Sequence, residues 1–394
     1  MPARTDAIPY WRLSNFYFVY FASLGALVPY WGLYLQSLGL SVVEIGKLMA
    51  IIYATKIVSP SVWGWIADRT GKRIAIVRIA CLLGALLFVG VFWASSFFSL
   101  AVVMSLFSFF WNASLPQFEA TTMTHLGKGS HRYSSIRLWG SIGFIVTAWG
   151  LGYLIQDFGA GILPGVLMAL FVLIWLSSYS VPEQAAGHLS LHHEPLRSVL
   201  RKPVVIALLA VCFLMQLSHG PYYSFYTIYL DEHGYSADAI GALWGLAVLA
   251  EVGLFLLMQR LLARFNPRFL LLTSFLLSTV RWFLIAAFPD AVAVIMVAQI
   301  LHAASFGLYH AVAIHLVHRY FRGRNQGIGQ GLYSSVSFGA GGAVGSLVSG
   351  YIWTLAGSNW VYWMAMVVTM IAFVLTWCFL REEFQSGELV DRVE

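Results

Sequence analysis

The stretch Gly64-Trp65-Ile66-Ala67-Asp68-Arg69-Thr70-Gly71-Lys72-Arg73 decides how the rest of the chain is read. It joins two long apolar segments and fits the spacing G-x-x-x-D-R-x-G-[KR]-[KR]. Each residue type has a physical task there. Gly64 lacks a Cβ and lets two helices approach closely, while Gly71 suits a tight turn. Asp68 can hold the end of a neighbouring helix, where a carboxylate meets unpaired backbone N–H groups. Arg69, Lys72 and Arg73 fix the loop on the cytoplasmic face of a membrane. A generic basic turn needs only the charges, so Gly64, Asp68, Arg69, Gly71, Lys72 and Arg73 are candidate gating residues.

Outward from this loop the chain keeps the same character. Of its 394 residues 59% are hydrophobic and 10% charged, with a mean hydropathy of +0.77, so lipid rather than water must be its solvent. Apolar runs long enough to cross a ~30 Å hydrocarbon core recur twelve times, at about 13–36, 43–66, 74–94, 98–123, 135–156, 161–180, 203–230, 237–259, 269–288, 291–318, 327–355 and 360–380. A span must satisfy its backbone internally, so each run reads as a helix and the fold as an all-α membrane protein. The net charge of +6 reports topology rather than a nucleic-acid partner. Arg4 and Arg12, the Arg69–Arg73 group, Lys128 and Arg132, Arg197, Arg201 and Lys202, Arg260 to Arg268, Arg319 to Arg324 and Arg381 all fall on one side. The alternate connections hold Asp157, Asp231, Glu232, Asp238 and Asp290. This bias places both termini in the cytoplasm. Met1–Arg12 shows no cleavable-signal pattern, and the first run is too long for a signal peptide, so it is read as helix 1. Cys81, Cys212 and Cys378 fall in apolar helices without metal-ligand spacing and read as packing residues. No cofactor is implied.

The chain repeats itself. Ser23–Leu48 superimposes on Ser218–Leu243 without a gap, at an offset of 195 (218 − 23). Identical pairs are Ser23/Ser218, Gly25/Gly220, Tyr34/Tyr229, Leu35/Leu230, Gly39/Gly234, Ser41/Ser236, Ile45/Ile240, Gly46/Gly241 and Leu48/Leu243. The same offset carries Arg73 onto Arg268, but Asp68 onto Ala263. Two six-helix halves in parallel orientation follow, 1–180 and 203–380, joined by a polar linker, 181–202, and ended by a tail, 381–394. The linker's His188, His192, His193 and Glu194 lack an acid or Cys framework and read as a flexible connection, not a metal site.

Charged residues within the apolar runs are few. A charge at mid-bilayer costs at least ~2.5–3.5 kcal/mol and is kept for a pair, a cavity or a function. Well within the runs the acids are Glu119 and Glu251, and the bases deep inside are Lys56 and Arg281, with Arg137 a turn from the inner end of helix 5. Lys47 can pair with Glu44 or either can snorkel. At ~1.5 Å per residue, Glu251 on helix 8, Arg281 on helix 9 and His302 on helix 10 reach the bilayer middle together. Glu119 and Arg137 sit on consecutive helices near the inner side, where an ion pair is geometrically easy. Purely structural salt bridges are the competing explanation. Helices 1 and 7 carry Tyr30, Trp31, Tyr34, His219, Tyr222, Tyr223, Tyr226 and Tyr229, rings with one polar tip each. These suit a cavity wall or, equally, an interfacial belt. Trp111, Asn112 and His310 are further lining candidates, whereas His315 and His318 approach the inner surface.

The helix 2–3 loop resembles that of major facilitator superfamily transporters, the type case of parallel halves with nested repeats. Pro116-Gln117-Phe118-Glu119 and Arg137-Leu138-Trp139-Gly140 resemble the galactoside-binding Glu and Arg of the lactose permease group. Ala250-Glu251, Val280-Arg281 and Leu301-His302 fall where that group has its helix 8 Glu, helix 9 Arg and helix 10 His. That group carries a further proton-carrying acid three residues past the His, where this chain has Ser305. The phenylpropionate permease family of proton symporters, which lacks that acid, is similar across nearly the whole chain, through Arg137-Leu138-Trp139-Gly140-Ser141, His219 with Tyr222-Tyr223, Ala250-Glu251, Val280-Arg281-Trp282 and Gln299-Ile300-Leu301-His302.

The resemblance implies a proton-coupled symporter working by alternating access, without enzymatic activity, in a bacterial-type cytoplasmic membrane and as a monomer. Glu251, Arg281, His302 and Glu119 become proton-coupling candidates. Tyr30, Tyr34, Trp111, Asn112, Glu119, Arg137, His219, Tyr222, Tyr223, Tyr226, Arg281 and His302 become substrate-binding candidates. An aromatic carboxylate fits an Arg clamp and aromatic walls; a sugar or nucleoside is the alternative. A drug exporter is disfavoured because helix 5 lacks Gly-Pro-x-x-Gly-Gly, and an ATP-driven pump because no G-x-x-x-x-G-K-[ST] loop occurs. A membrane enzyme and a non-transporting receptor are the rivals from other classes.

Overall fold

The computed structural model describes residues 8–183, 196–323 and 325–380, without the side chains of Lys128, Ser130 and His131. Twelve long helices make up these residues: α1 (Tyr10–Ser37), α2 (Val42–Thr70), α3 (Arg73–Phe88), α4 (Phe97–Leu126), α5 (Tyr133–Phe158), α6 (Leu163–Ser178), α7 (Pro203–Glu232), α8 (Ala237–Arg264), α9 (Pro267–Ala287), α10 (Val292–Tyr320), α11 (325–356) and α12 (Ser358–Phe379). No strand occurs among the described residues. Ten of the helices are long and apolar enough to cross a bilayer by length and composition. The other two are α2, diluted by Lys47, Lys56 and its serines, and α11, rich in Gly and Ser. These two pack on each other across the seam between the halves, so their polar residues face protein. The linker's His188, His192, His193 and Glu194 and the tail 381–394 lie outside the described residues.

Local chemistry sets the helix ends. Ser41 caps α2 in a reciprocal box: its backbone N–H donates to Glu44 Oε2 (2.9 Å) while its hydroxyl accepts from Glu44 N–H (3.4 Å). Glu44 is thereby engaged at the cap, and Lys47 lies instead over the Tyr351 ring, 5.8 Å from its centroid. Asn266 caps α9, accepting from Arg268 N–H at 2.8 Å, with Pro267 opening the helix. Gly71 closes α2 at φ +67°, in the left-handed region that favours glycine. Gly39 and Gly234, one repeat apart, turn the chain at φ +82° and +80°. The repeated sequence therefore makes the repeated turn.

The halves share one neighbour pattern. In the first, α1 packs on α5 and α6, α2 on α4, and α3 on α4 and α6. In the second, α7 packs on α11 and α12, α8 on α10, and α9 on α10 and α12. Lipid offers no hydrophobic drive between helices, so close backbone approach has to hold them. The paired Gly25 and Gly220 provide it. A Cβ at Gly25 would sit 2.5 Å from Phe144 O on α5, and one at Gly220 would strike the Gly345 backbone on α11.

Between the halves the contacts are uneven. At the end carrying Asp157, Asp231 and Asp238, a Cβ at Gly241 would fall 2.5 Å from Ala148 O, and one at Gly152 2.6 Å from Ala237 O. There Tyr30 donates its hydroxyl to Ala148 O at 2.6 Å, and Ala237 N–H donates to Gln156 Oε1 at 2.9 Å. At the basic end, α4 and α10 make no substantial contact with the opposite half among the described residues. Among the described residues the closest approaches between the halves therefore lie at the acidic end.

Candidate functional site

The middle of the C-terminal half gathers its polar residues into one cluster. On α8, Glu251 places Oε1 2.7 Å from His302 Nε2 on α10. Arg281 on α9 is fully enclosed. It donates through Nε to Ala298 O (3.0 Å) and through Nη1 to Ser305 Oγ (3.0 Å), and Nη1 also meets His219 Nε2 at 3.4 Å. Its guanidinium lies over Tyr222 (4.2 Å) and Trp282 (4.4 Å). His219 is oriented by Met215 O, 2.8 Å from Nδ1. Tyr222 donates to Gln299 Oε1 at 2.8 Å, and Gln299 in turn donates to the Tyr226 hydroxyl. Three buried atoms of the cluster lack a hydrogen-bond partner among the described residues, Arg281 Nη2, His302 Nδ1 and Trp282 Nε1. Such orphans within a satisfied network mark places where a ligand or a second conformation supplies the missing bond.

A π-helical turn shapes this cluster. Within α10, residues Ala303–Leu308 take the wider i→i+5 winding directly after His302, and α11 does the same at Ser335–Gly341. His302, Phe306 and His310 then stack down the helix, with ring centroids 5.5 Å and 5.8 Å apart and planes within 13° of parallel. His310 Nδ1 meets the Tyr333 hydroxyl of α11 at 2.9 Å.

The N-terminal half faces this cluster with bases. Arg137 on α5 lies over the Phe21 ring (3.7 Å) and near Tyr17 (5.7 Å). It forms no ion pair with Glu119 among the described residues. Glu119 instead accepts from the Tyr133 hydroxyl at 3.4 Å, while the guanidinium lies over rings of α1. Lys56 on α2 sits 5.1 Å from the Tyr53 ring, also without an ion pair among the described residues.

Several candidates stand elsewhere. Trp111 stacks on Tyr20 (5.4 Å) and meets Phe171 of α6, among the packed rings of the N-terminal half. Asn112 ties α4 to α2, donating to Ile52 O (3.1 Å) and Thr55 Oγ1 (2.9 Å). Tyr30 and Tyr34 are buried at the acidic end, whereas Tyr223 remains half-buried beside His302 and Phe306. Asp68 pairs with Arg73 of its own loop at 3.3 Å, its side chain 74% exposed, and Arg69 lies over Trp65 at 4.0 Å. Gly64 approaches only the Gln117 side chain, at 3.7 Å from a built Cβ. Gln299, Ser305 and Tyr333 are site neighbours that helix periodicity does not single out, although Gln299 stands one turn before His302. No group of three or more His, Cys, Asp or Glu able to hold a metal ion occurs among the described residues.

The profile of the MFS_1 like family matches residues 10–364. The chain belongs to this family of major facilitator transporters. It is 30% identical over 369 residues to a protein of Escherichia coli (strain K12) named "Probable 3-phenylpropionic acid transporter", covering 91% of this chain and 95% of that one. It is 28% identical over 382 residues to a maltose permease of Geobacillus stearothermophilus, covering 95% of each. In fold it is similar to the nucleoside transporter NupG, whose mutant structure covers 94% of the chain and is itself covered completely, with TM-score 0.82 and 16% identity. This major facilitator protein is an integral membrane transporter, not an enzyme.

Proposed function

We propose that the protein is a proton-coupled symporter that takes up a small aromatic carboxylate by alternating access. It would act as a monomer in a bacterial cytoplasmic membrane with both termini inside. What supports the substrate class is a surplus of unpaired positive charge. Three bases within the helices, Lys56, Arg137 and Arg281, form no ion pair among the described residues and stand against two acids, Glu119, held by Tyr133, and Glu251, held by His302. An anion removes that excess, whereas a neutral solute leaves it standing. The half-buried Tyr223, beside His302 and Phe306, offers a ring surface for an aryl group. The relative named for 3-phenylpropionic acid points the same way. Glu251 is the proposed proton carrier, since it can be neutral or charged against His302 while Arg137 and Arg281 hold their charge. A sugar is the second reading, favoured by the maltose permease match.

A thermal-shift screen of detergent-purified protein tests the substrate class, because a ligand bound only by the native state raises apparent stability. Aryl carboxylates such as 3-phenylpropionate are expected to raise the melting temperature. A shift with maltose or nucleosides and none with any carboxylate would move the assignment to the second reading.

A further inference from the structure

Lys56 is the repeat counterpart of Glu251. The offset of 195 that superimposes Ser23–Leu48 on Ser218–Leu243 carries residue 56 onto 251. The fold gives both the same place: α2 packs between α4 of its own half and α11 of the other, and α8 between α10 and α5. One helix thus presents a base where its twin presents an acid.

The neighbours of α2 fix where Lys56 points. Ile52, Thr55 and Ser59 meet α4, through Asn112 and through Ser59 Oγ donating to Phe109 O at 2.5 Å. Tyr53 and Ile57 meet α11, where a Cβ at Gly342 would fall 2.8 Å from Tyr53 Cδ1 and one at Gly339 2.5 Å from Ile57 Cγ1. Ala54, Val58, Ser61 and Trp65 are exposed. At about 100° per residue, Lys56 bisects the α4 and α11 faces and stands opposite the exposed one. Its side chain enters the space between the halves, at mid-helix like Glu251. A cation so placed, with an aromatic ring beside it and no ion pair among the described residues, has a counter-charge missing there.

We propose that Lys56 is an anion-binding residue of the central cavity. Its ammonium takes the carboxylate of the transported solute, opposite the Glu251–His302 pair that handles the proton. This rests on the organic-acid reading above and assigns the carboxylate to a residue of the N-terminal half. Solute bound between α2 and α8 would then bridge the two halves at equivalent points.

The test compares wild type, Lys56→Gln and Lys56→Arg, using calorimetric binding of 3-phenylpropionate and the melting temperature of ligand-free protein. Lys56→Gln is expected to weaken binding roughly ten-fold or more, the loss typical of removing one partner of a buried charge pair. Lys56→Arg is expected to stay within about three-fold of wild type, since the charge is kept. Ligand-free Lys56→Gln should melt no lower than wild type, because an unpaired internal cation has been removed. Unchanged binding in Lys56→Gln would overturn the assignment while leaving the substrate class intact. So would equal losses in both variants with lowered melting, which would make Lys56 a packing residue. Rescue of transport by the exchanged pair Lys56→Glu with Glu251→Lys would show that the two pair with each other instead, and would overturn it as well. Wild type that binds no aryl carboxylate would overturn the substrate reading before any variant is compared.

Discussion

Arg281 shows how a single side chain can organise a site without opening onto it. Its three donor contacts, to Ala298 O, Ser305 and His219, fix helices α9, α10 and α7 relative to one another, and Nη2 remains unpartnered. Lys keeps the charge but loses the planar fork, so Arg281→Lys should retain more carboxylate binding than Arg281→Gln. Competition binding with an aryl acid reads this directly; equal loss in both variants points to a neutral solute held by directional hydrogen bonds. At this scale the sequence was informative about depth and silent about partners. Counting ~1.5 Å per residue brings Glu251, Arg281 and His302 to one level, and the structure gathers them there. It does not say that Ser305 accepts from Arg281, or that Arg137 leaves Glu119 for Phe21. Those choices depend on rotamers and on which ring lies within reach, and neither has a sequence period.

Among the elements, the seam helices carry the most exposed wager. Gly241 on α8 lies against Ala148 O and the Tyr30 hydroxyl, 2.5 Å and 2.6 Å from a built Cβ. Overpacking of this kind costs typically ~1–3 kcal/mol in a packed core, enough to shift a conformational equilibrium roughly five- to 150-fold. Gly241→Leu should therefore disfavour the close approach at the acidic end and leave the helices themselves intact. An engineered Ser236→Cys in a Cys378→Ser background should then react faster with a bulky maleimide; unchanged reactivity would mean that the seam yields elsewhere. The repeat glycines and the turn at Gly71 were legible because only glycine meets those constraints. The π-helical turns of α10 and α11 were not, since an extra residue per turn leaves the apolar pattern nearly unchanged.

For the whole molecule, charge patterning and the internal offset sufficed to place twelve helices in two like halves, because lipid allows few other solutions. The state of the gate was beyond it, since both states share one sequence. Among the described residues Asp68 makes an exposed pair with Arg73, and such pairs contribute about 0–1 kcal/mol. Asp68→Asn should leave stability and solute affinity nearly unchanged while slowing transport, provided the acid braces the loop when the basic end shuts. Stopped-flow uptake beside equilibrium binding separates the two effects, and a collapse in affinity would remove Asp68 from the gate. Coupling itself is tested most directly in proteoliposomes loaded at alkaline pH and diluted into acidic buffer with labelled 3-phenylpropionate. Wild type should accumulate the acid above its external concentration, and collapsing the gradient should abolish this. Glu251→Gln should lose accumulation yet retain exchange of external for internal solute. Accumulation that requires sodium and ignores the pH gradient, or that persists in Glu251→Gln, would contradict proton symport through Glu251.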